Sequence, residues 1–73
     1  MPVKKKIPFL VHVGDRIRKE RVRQDISQAQ LAYELKTSIR QIQRIENGEI
    51  NTGIVSLYKI AEALEVDIKE LMP

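Results

Sequence analysis

The sequence has no cysteine and no tryptophan, and it has only one histidine, His12. The absence of cysteine excludes a disulfide framework, a thiolate metal site and a thiol nucleophile, and it suits a reducing compartment. The single histidine has no ligand-spaced neighbours and no carboxylates occur as a motif-spaced pair, so the residues offer no catalytic or metal-ligand set. We therefore predict that the protein is not an enzyme, and that it uses no metal ion, cofactor or small-molecule ligand.

Long apolar runs are also missing. The longest, residues 7–13, is interrupted by Pro8 and His12 and is far shorter than the ~20 residues that a membrane span needs. It follows three lysines, as in a signal peptide, but it is short for one and no small-residue cleavage site follows. The sequence therefore predicts no membrane segment and a cytoplasmic location.

Charge is divided unequally along the chain. Residues 1–44 hold eleven Lys and Arg against four Asp and Glu, whereas residues 45–73 hold two against six, for a net charge of +3 over 73 residues. The basic half suits a polyanion such as DNA, which would repel the acidic half. A solvated basic face explains the same distribution without DNA. The length is that of one small domain, and such domains often gain stability by dimerising.

The stretch 27–48 predicts two short helices joined by a tight turn. Its apolar residues follow helical spacing on both sides of a three-residue corner. Ser27 with Gln30, and Ser38 with Gln41, have the spacing of capping boxes, in which two side chains satisfy free backbone N–H groups at a helix start. Both helices therefore carry their own start signal.

The second of these helices has two different sides. At 3.6 residues per turn, Ile42, Ile45 and Glu46 share one side, which is expected to pack against the protein. Arg and Gln predominate on its other sides, and these side chains match guanine and adenine edges in the DNA major groove. The pattern predicts a helix-turn-helix that reads DNA. The outward side and flanks are formed by Ile39, Arg40, Gln41, Gln43 and Arg44.

These residues resemble the helix-turn-helix family of phage Cro and lambda-type repressors, also called the xenobiotic-response-element family. The resemblance covers most of the chain, and its specificity comes from the joint spacing. The matching positions are Ser27-Gln28, Leu31-Ala32, Leu35, Ser38, Ile42, Ile45-Glu46, Gly48, Leu57, Ile60-Ala61, Ala63-Leu64 and Leu71.

The resemblance implies an all-α fold: a compact, five-helix, lambda-repressor-like domain with its helix-turn-helix at helices 2 and 3. It also implies a sequence-specific transcriptional regulator that binds double-stranded DNA. Such a protein is expected to be a homodimeric repressor on a palindromic operator, since one short recognition helix reads only a few base pairs.

Residues 1–12 are predicted to form a basic and apolar arm, and residues 13–73 the DNA-binding domain. We expect disorder in the first six residues, with Phe9 and Leu10 tucked against the fold.

The first helix is predicted over 13–23, with Val22 at the end of its buried stripe. A fourth helix is predicted over 54–64, with Ile54 opening its core stripe, and a last short helix follows a capping residue, Asp67.

Several DNA contacts follow from the resemblance. In similar repressors the residue matching Gln28 contacts a phosphate and fixes a recognition residue, although Gln28 also suits a first helical turn. Tyr33 is either a phosphate contact or an ordinary surface tyrosine. Lys36 replaces a family glycine at a left-handed corner, where it either contacts a phosphate or alters the turn. The predicted DNA contacts are Gln28, Tyr33, Lys36, Ser38, Ile39, Arg40, Gln41, Gln43, Arg44 and Asn51.

Glu46 lies on the inward side of its helix, where an unpaired carboxylate would cost several kcal/mol. It therefore needs a partner. The resemblance implies a structural ion pair with Arg21, and Lys19 and Arg44 are the alternatives.

The dimer surface is left open between the chain's end and the apolar segment 9–13. For residues of the last helix, core packing is the alternative role. A competing function is a protein-interaction module, such as a bridging or antitoxin domain, but an apolar outward face on the second motif helix would be typical of that. The candidate dimer residues at the chain's end are Tyr58, Ile68, Leu71 and Met72.

Overall fold

Four α-helices and a closing 3-10 helix form the computed structural model, which describes residues 7–73. This part of the chain contains no β-strand, so the predicted all-α fold is confirmed. The predicted fifth helix is a single 3-10 turn. The elements are α1 (Pro8–Arg23), α2 (Gln28–Glu34), α3 (Ile39–Glu46), α4 (Ile54–Ala63) and the 3-10 helix (Ile68–Leu71).

The first helix begins at Pro8, so the predicted start at Val13 is wrong. Proline is favourable in the first helical turn, because its missing N–H has no partner there in any case and its φ already suits a helix. Leu10 is thereby buried, as expected, whereas Phe9 is exposed. The disorder expected for residues 1–6 lies outside the described residues.

Val22 is exposed, so its predicted place in the buried stripe is wrong. The stripe of α1 runs through Val13 and Ile17, and a residue four positions after Ile17 continues it. That residue is Arg21, which is half-buried. The inward position at the end of α1 therefore carries a charge and not an aliphatic side chain.

All four α-helices end with the same left-handed turn. In each, the second residue after the helix has a positive φ, and the next N–H bonds back to a carbonyl five residues earlier, which is the Schellman arrangement. After α2, for example, the Thr37 N–H donates to the Ala32 carbonyl at 2.9 Å. Lys36 therefore keeps the left-handed corner and does not alter it. The four residues are Asp25, Lys36, Gly48 and Glu65, with φ of 58°, 56°, 72° and 57°.

Two glycines let α1 approach the end of α3 at backbone distance. A Cβ on Gly48 would lie 2.9 Å from the Val11 Cα, and one on Gly14 would lie 2.6 Å from the Glu46 carbonyl oxygen. Real Cβ atoms do not tolerate such contacts with backbone. These two positions therefore fix how α1 crosses α3.

The left-handed turns predict that two substitutions change stability in opposite directions. We expect Glu65→Gly to raise the free energy of unfolding by about 0.5–1 kcal/mol, because glycine adopts the left-handed conformation without steric cost. Gly48→Ala should lower it by at least about 1–2 kcal/mol, since it adds both that cost and a clash with Val11. Urea unfolding measures both changes.

Glu65→Ala is the matched control, because it leaves a non-glycine residue in a left-handed position. It should change stability far less than Gly48→Ala. Equal losses for the two alanine variants would contradict the proposed backbone contact at Gly48.

Candidate nucleic-acid interface

The two motif helices begin at side-chain caps. The Ser27 Oγ accepts from the Gln30 N–H at 3.0 Å and the Gln30 Oε1 accepts from the Ser27 N–H at 2.7 Å, so this predicted capping box is confirmed. The Ser38 Oγ accepts from the Gln41 N–H at 3.0 Å. No return bond from the Gln41 side chain occurs among the described contacts, because that side chain is half-buried in the groove towards α4. The second box is therefore only a one-sided cap.

The predicted division of α3 into two sides is confirmed. Ile42, Ile45 and Glu46 are only 1%, 8% and 6% exposed. The opposite side carries an exposed guanidinium on Arg40 and an exposed amide on Gln43. A buried side of this size holds the helix firmly while it leaves the polar side open.

A bidentate ion pair satisfies the buried carboxylate. The Arg21 Nε donates to the Glu46 Oε2 at 2.6 Å and the Arg21 Nη2 donates to Oε1 at 3.0 Å. The Arg21 Nη1 donates to the Ile26 carbonyl at 2.8 Å. The two side chains are only 11% and 2% exposed, and a planar guanidinium suits a carboxylate in this geometry. The pairing is the one that the resemblance implies, and neither Lys19 nor Arg44 takes part.

Gln28 connects this buried pair to the outward side of α3. Its Nε2 donates to the Glu46 Oε1 at 3.1 Å, and its Oε1 accepts from the Gln43 Nε2 at 3.4 Å. A carboxylate accepts hydrogen bonds only, so the amide nitrogen of Gln28 must face Glu46 and the oxygen must face Gln43. The orientation of the Gln43 amide is thereby linked to a charge inside the protein. Sequence spacing gave no signal for these bonds, but the resemblance implied that Gln28 fixes a recognition residue, and its bond with Gln43 fits that expectation.

Much of the positive charge on α1 is paired within that helix. Asp15 binds Arg18 at 2.6 Å and Lys19 at 3.0 Å, and Arg23 binds Glu20 at 2.8 Å. Hydrogen bonds from Arg18 and then Lys19 lower the pKa of Asp15. In the same way, the bond between Arg23 and Glu20 lowers the pKa of the carboxyl and raises the pKa of the guanidinium.

The cations of the motif are arranged differently. Within residues 7–73, Lys36, Arg40 and Arg44 form no ion pair. Lys36 and Arg40 are exposed and Arg44 is half-buried. In this part of the chain, three of the six cations without an ion pair therefore lie on the turn and on α3, and the other three are Arg16, Lys59 and Lys69.

The remaining predicted contacts surround this surface. Tyr33 is 86% exposed and Ile39 is 46% exposed. Ser38 caps α3, and Asn51 is exposed in the loop that follows this helix. Gln41 is the predicted contact that turns partly towards α4.

Leu71 is fully buried in the core, which is the alternative role given for it, and it is not accessible to a second copy. Ile68 and Met72 also pack against the core, because the 3-10 helix closes the fold. Of the candidate dimer residues at the chain's end only Tyr58 is largely exposed, at 58%, whereas in the rival segment 9–13 Phe9 and Val11 are 44% and 39% exposed.

Two further apolar residues accompany Tyr58 on α4. Ile54 and Val55 are both 64% exposed, so the prediction of Ile54 as a core residue is wrong. The buried stripe of α4 begins at Leu57 and ends at Leu64, just after the helix, and Ile54 lies one turn before it. The spacing of Val55 and Tyr58 beside this stripe was the available signal for a second apolar face.

The described residues show neither a metal centre nor a membrane segment. Within residues 7–73, no group of three or more His, Cys, Asp or Glu side chains is placed to hold a metal ion. No helix in this part is long and apolar enough to cross a membrane.

Comparisons with known proteins point to one family. A family model described as helix-turn-helix matches residues 17–71. A transcriptional regulator in the ATPase CF(0) region of Rhodospirillum rubrum is 40% identical over 57 residues, which cover 78% of this chain and 53% of that protein. The chain spans about half the length or less of the curated relatives it matches.

Solved structures share the fold. The restriction-modification controller protein C.AhdI from Aeromonas hydrophila superposes with a TM-score of 0.82 and 32% identity, over 86% of this chain and 96% of that one. Hydroxypropylphosphonic acid epoxidase from S. wedmorenis superposes with a TM-score of 0.86 over 94% of this chain but only 36% of the epoxidase, at 24% identity. The second likeness shows the fold alone, as one part of a larger chain.

The Arg21 and Glu46 pair gives a coupling prediction. In a double-mutant cycle with Arg21→Met and Glu46→Leu, each single change should destabilise by about 3–5 kcal/mol, because it leaves a buried charge unpaired. The double variant should lose much less than the sum of the two, with a coupling of at least about 1 kcal/mol. Denaturant unfolding of the four proteins measures this.

The pair of Arg23 and Glu20 on the surface of α1 is the control, with side chains 63% and 17% exposed. Its cycle should give a coupling below about 0.5 kcal/mol, since solvent screens it. Additive losses for Arg21 and Glu46 would show that the buried contact does not stabilise the fold as described.

Proposed function

The chain belongs to the helix-turn-helix family of Cro and lambda-repressor type regulators, and from this we propose that it is a sequence-specific, dimeric repressor that reads a palindromic operator with α3. DNA binding is the broader part of this proposal and rests on the family. The repressor role, the dimer and the operator symmetry are its finer parts.

One observation supports base reading above all others: the outward side of α3 carries unpaired guanidiniums beside an oriented amide. Arg40 and Arg44 suit guanine, whose O6 and N7 accept two hydrogen bonds, and Gln43 suits adenine. Gln28 limits the orientations of Gln43, which reduces the entropy lost on binding. Helix α3 has eight residues, which is enough for a few base pairs in one major groove.

Phosphate contacts are assigned to the residues around α3. Lys36 and Tyr33 are exposed at the end of α2, and Asn51 is exposed after α3. These side chains lie on both sides of the recognition helix along the chain, as expected for residues that set its register on the DNA backbone. Gln28 acts in this proposal through Gln43, as a positioning residue.

The interface of the proposed dimer is assigned to the exposed face of α4. Ile54, Val55 and Tyr58 lie within one helical turn of each other and are each more than half exposed. The same face carries one charge of each sign, Lys59 and Glu62, so its net charge does not oppose an antiparallel pairing of two α4 helices that brings the apolar groups together. An isologous contact of this kind has the two-fold symmetry that a palindromic operator requires.

Base reading by Arg40 is tested on the site that the protein selects from random duplexes. Arg40→Ala should weaken binding to that site by about 10- to 100-fold per half-site, which corresponds to the loss of one bidentate base contact in each half. Binding to unrelated DNA should change little. Titrations of both duplexes with the variant and with wild type, at one salt concentration, measure the difference.

Arg23→Ala is the matched control, because it removes an exposed arginine that is paired on α1. It should leave the preference for the selected site intact. If Arg40→Ala weakens binding to both duplexes by a similar factor, Arg40 contacts phosphate and does not read a base.

The α4 face is tested by introducing a charge. Tyr58→Glu should convert the dimer to a monomer in sedimentation equilibrium and abolish cooperative binding to the full palindrome, while binding to an isolated half-site persists. Val22→Glu introduces the same charge on another exposed apolar residue and should remain dimeric. A dimer that survives Tyr58→Glu, with helical content unchanged by circular dichroism, would place the interface elsewhere.

A further inference from the structure

Ile39 is an exposed isoleucine on a surface that is otherwise polar. It is the first residue of α3 and is 46% exposed, whereas the other two isoleucines of this helix are 1% and 8% exposed. Isolated apolar residues are common on protein surfaces. The position of Ile39 is what makes it informative, because it adjoins Arg40 and lies one turn before Gln43.

The local structure holds Ile39 in a defined place. Ser38 caps the helix at this point, with its Oγ 3.0 Å from the Gln41 nitrogen. A β-branched side chain in a helix has essentially one favoured χ1 rotamer. One turn later, Gln43 is held by Gln28. The apolar group therefore has a restricted rotamer, and the amide beside it has one hydrogen bond to the protein, at 3.4 Å.

The DNA major groove offers one apolar group to such a side chain, the 5-methyl of thymine. An isoleucine facing cytosine or guanine would instead cover hydrogen-bonding groups without replacing their water, which is unfavourable. We propose that Ile39 specifies a thymine in the half-site by packing against its 5-methyl group. This inference rests on the proposed function of α3 and names one base that it selects.

The test removes the methyl group from the DNA and leaves the protein unchanged. In the site selected from random duplexes, each thymine is replaced in turn by deoxyuridine, in both half-sites together. At one position the wild-type protein should bind about fourfold more weakly per half-site, which corresponds to the burial of about one methyl group. The other thymines should show no comparable loss.

The Ile39→Ala variant tests whether Ile39 is the residue that contacts that methyl group. The variant should bind the thymine and deoxyuridine sites almost equally at the sensitive position. Val22→Ala, which shortens an exposed apolar residue on α1, should retain the wild-type difference.

Each result decides the proposal. Three results would overturn it and leave the proposed function standing. They are a selected half-site without thymine, wild-type binding that no deoxyuridine weakens, and an Ile39→Ala variant that keeps the full loss of binding to the deoxyuridine site. A protein that selects no site at all would overturn both.

Discussion

The bidentate contact between Arg21 and Glu46 is the interaction on which the rest of the arrangement depends. Arg21 occupies the last inward position of α1, and Glu46 ends α3 at the point where Gly14 and Gly48 let the two helices approach. Gln28 brings α2 to the same carboxylate. Three helices are thereby held at one buried charge, and the angle between the motif helices follows from that contact as well as from apolar packing.

The same contact explains how a small domain keeps a defined binding surface. The carboxylate orients Gln28, and Gln28 orients Gln43 on the outward side. On α1, by contrast, the cations bind neighbouring carboxylates. In the described part of the chain, the cations of the turn and of α3 form no ion pair. The local electrostatic field therefore favours an anion where the proposed base contacts lie.

Local patterns predicted the local structure well. The capping box at Ser27 and the buried side of α3 are confirmed, and Ser38 caps its helix from one side only, since each depends on residues a few positions apart. Predictions failed where a helix meets its neighbours: Pro8 begins a helix that was expected to start later, and Val22 and Ile54 lie beyond the edge of the core. The bonds that Gln28 makes join residues 15 and 18 positions apart, and no spacing rule reveals them. The Arg21 and Glu46 pair was reached only through the family resemblance.

The central claim is that the outward side of α3 reads a DNA sequence. The most direct measurement is selection from a library of random duplexes by the wild-type protein at two salt concentrations, followed by sequencing. We predict enrichment of an inverted repeat whose half-sites lie about one helical turn apart, with the same bases enriched at both salts. Weak binding that disappears as salt rises, with no enriched sequence, would contradict the claim and leave only non-specific attraction between DNA and a basic surface.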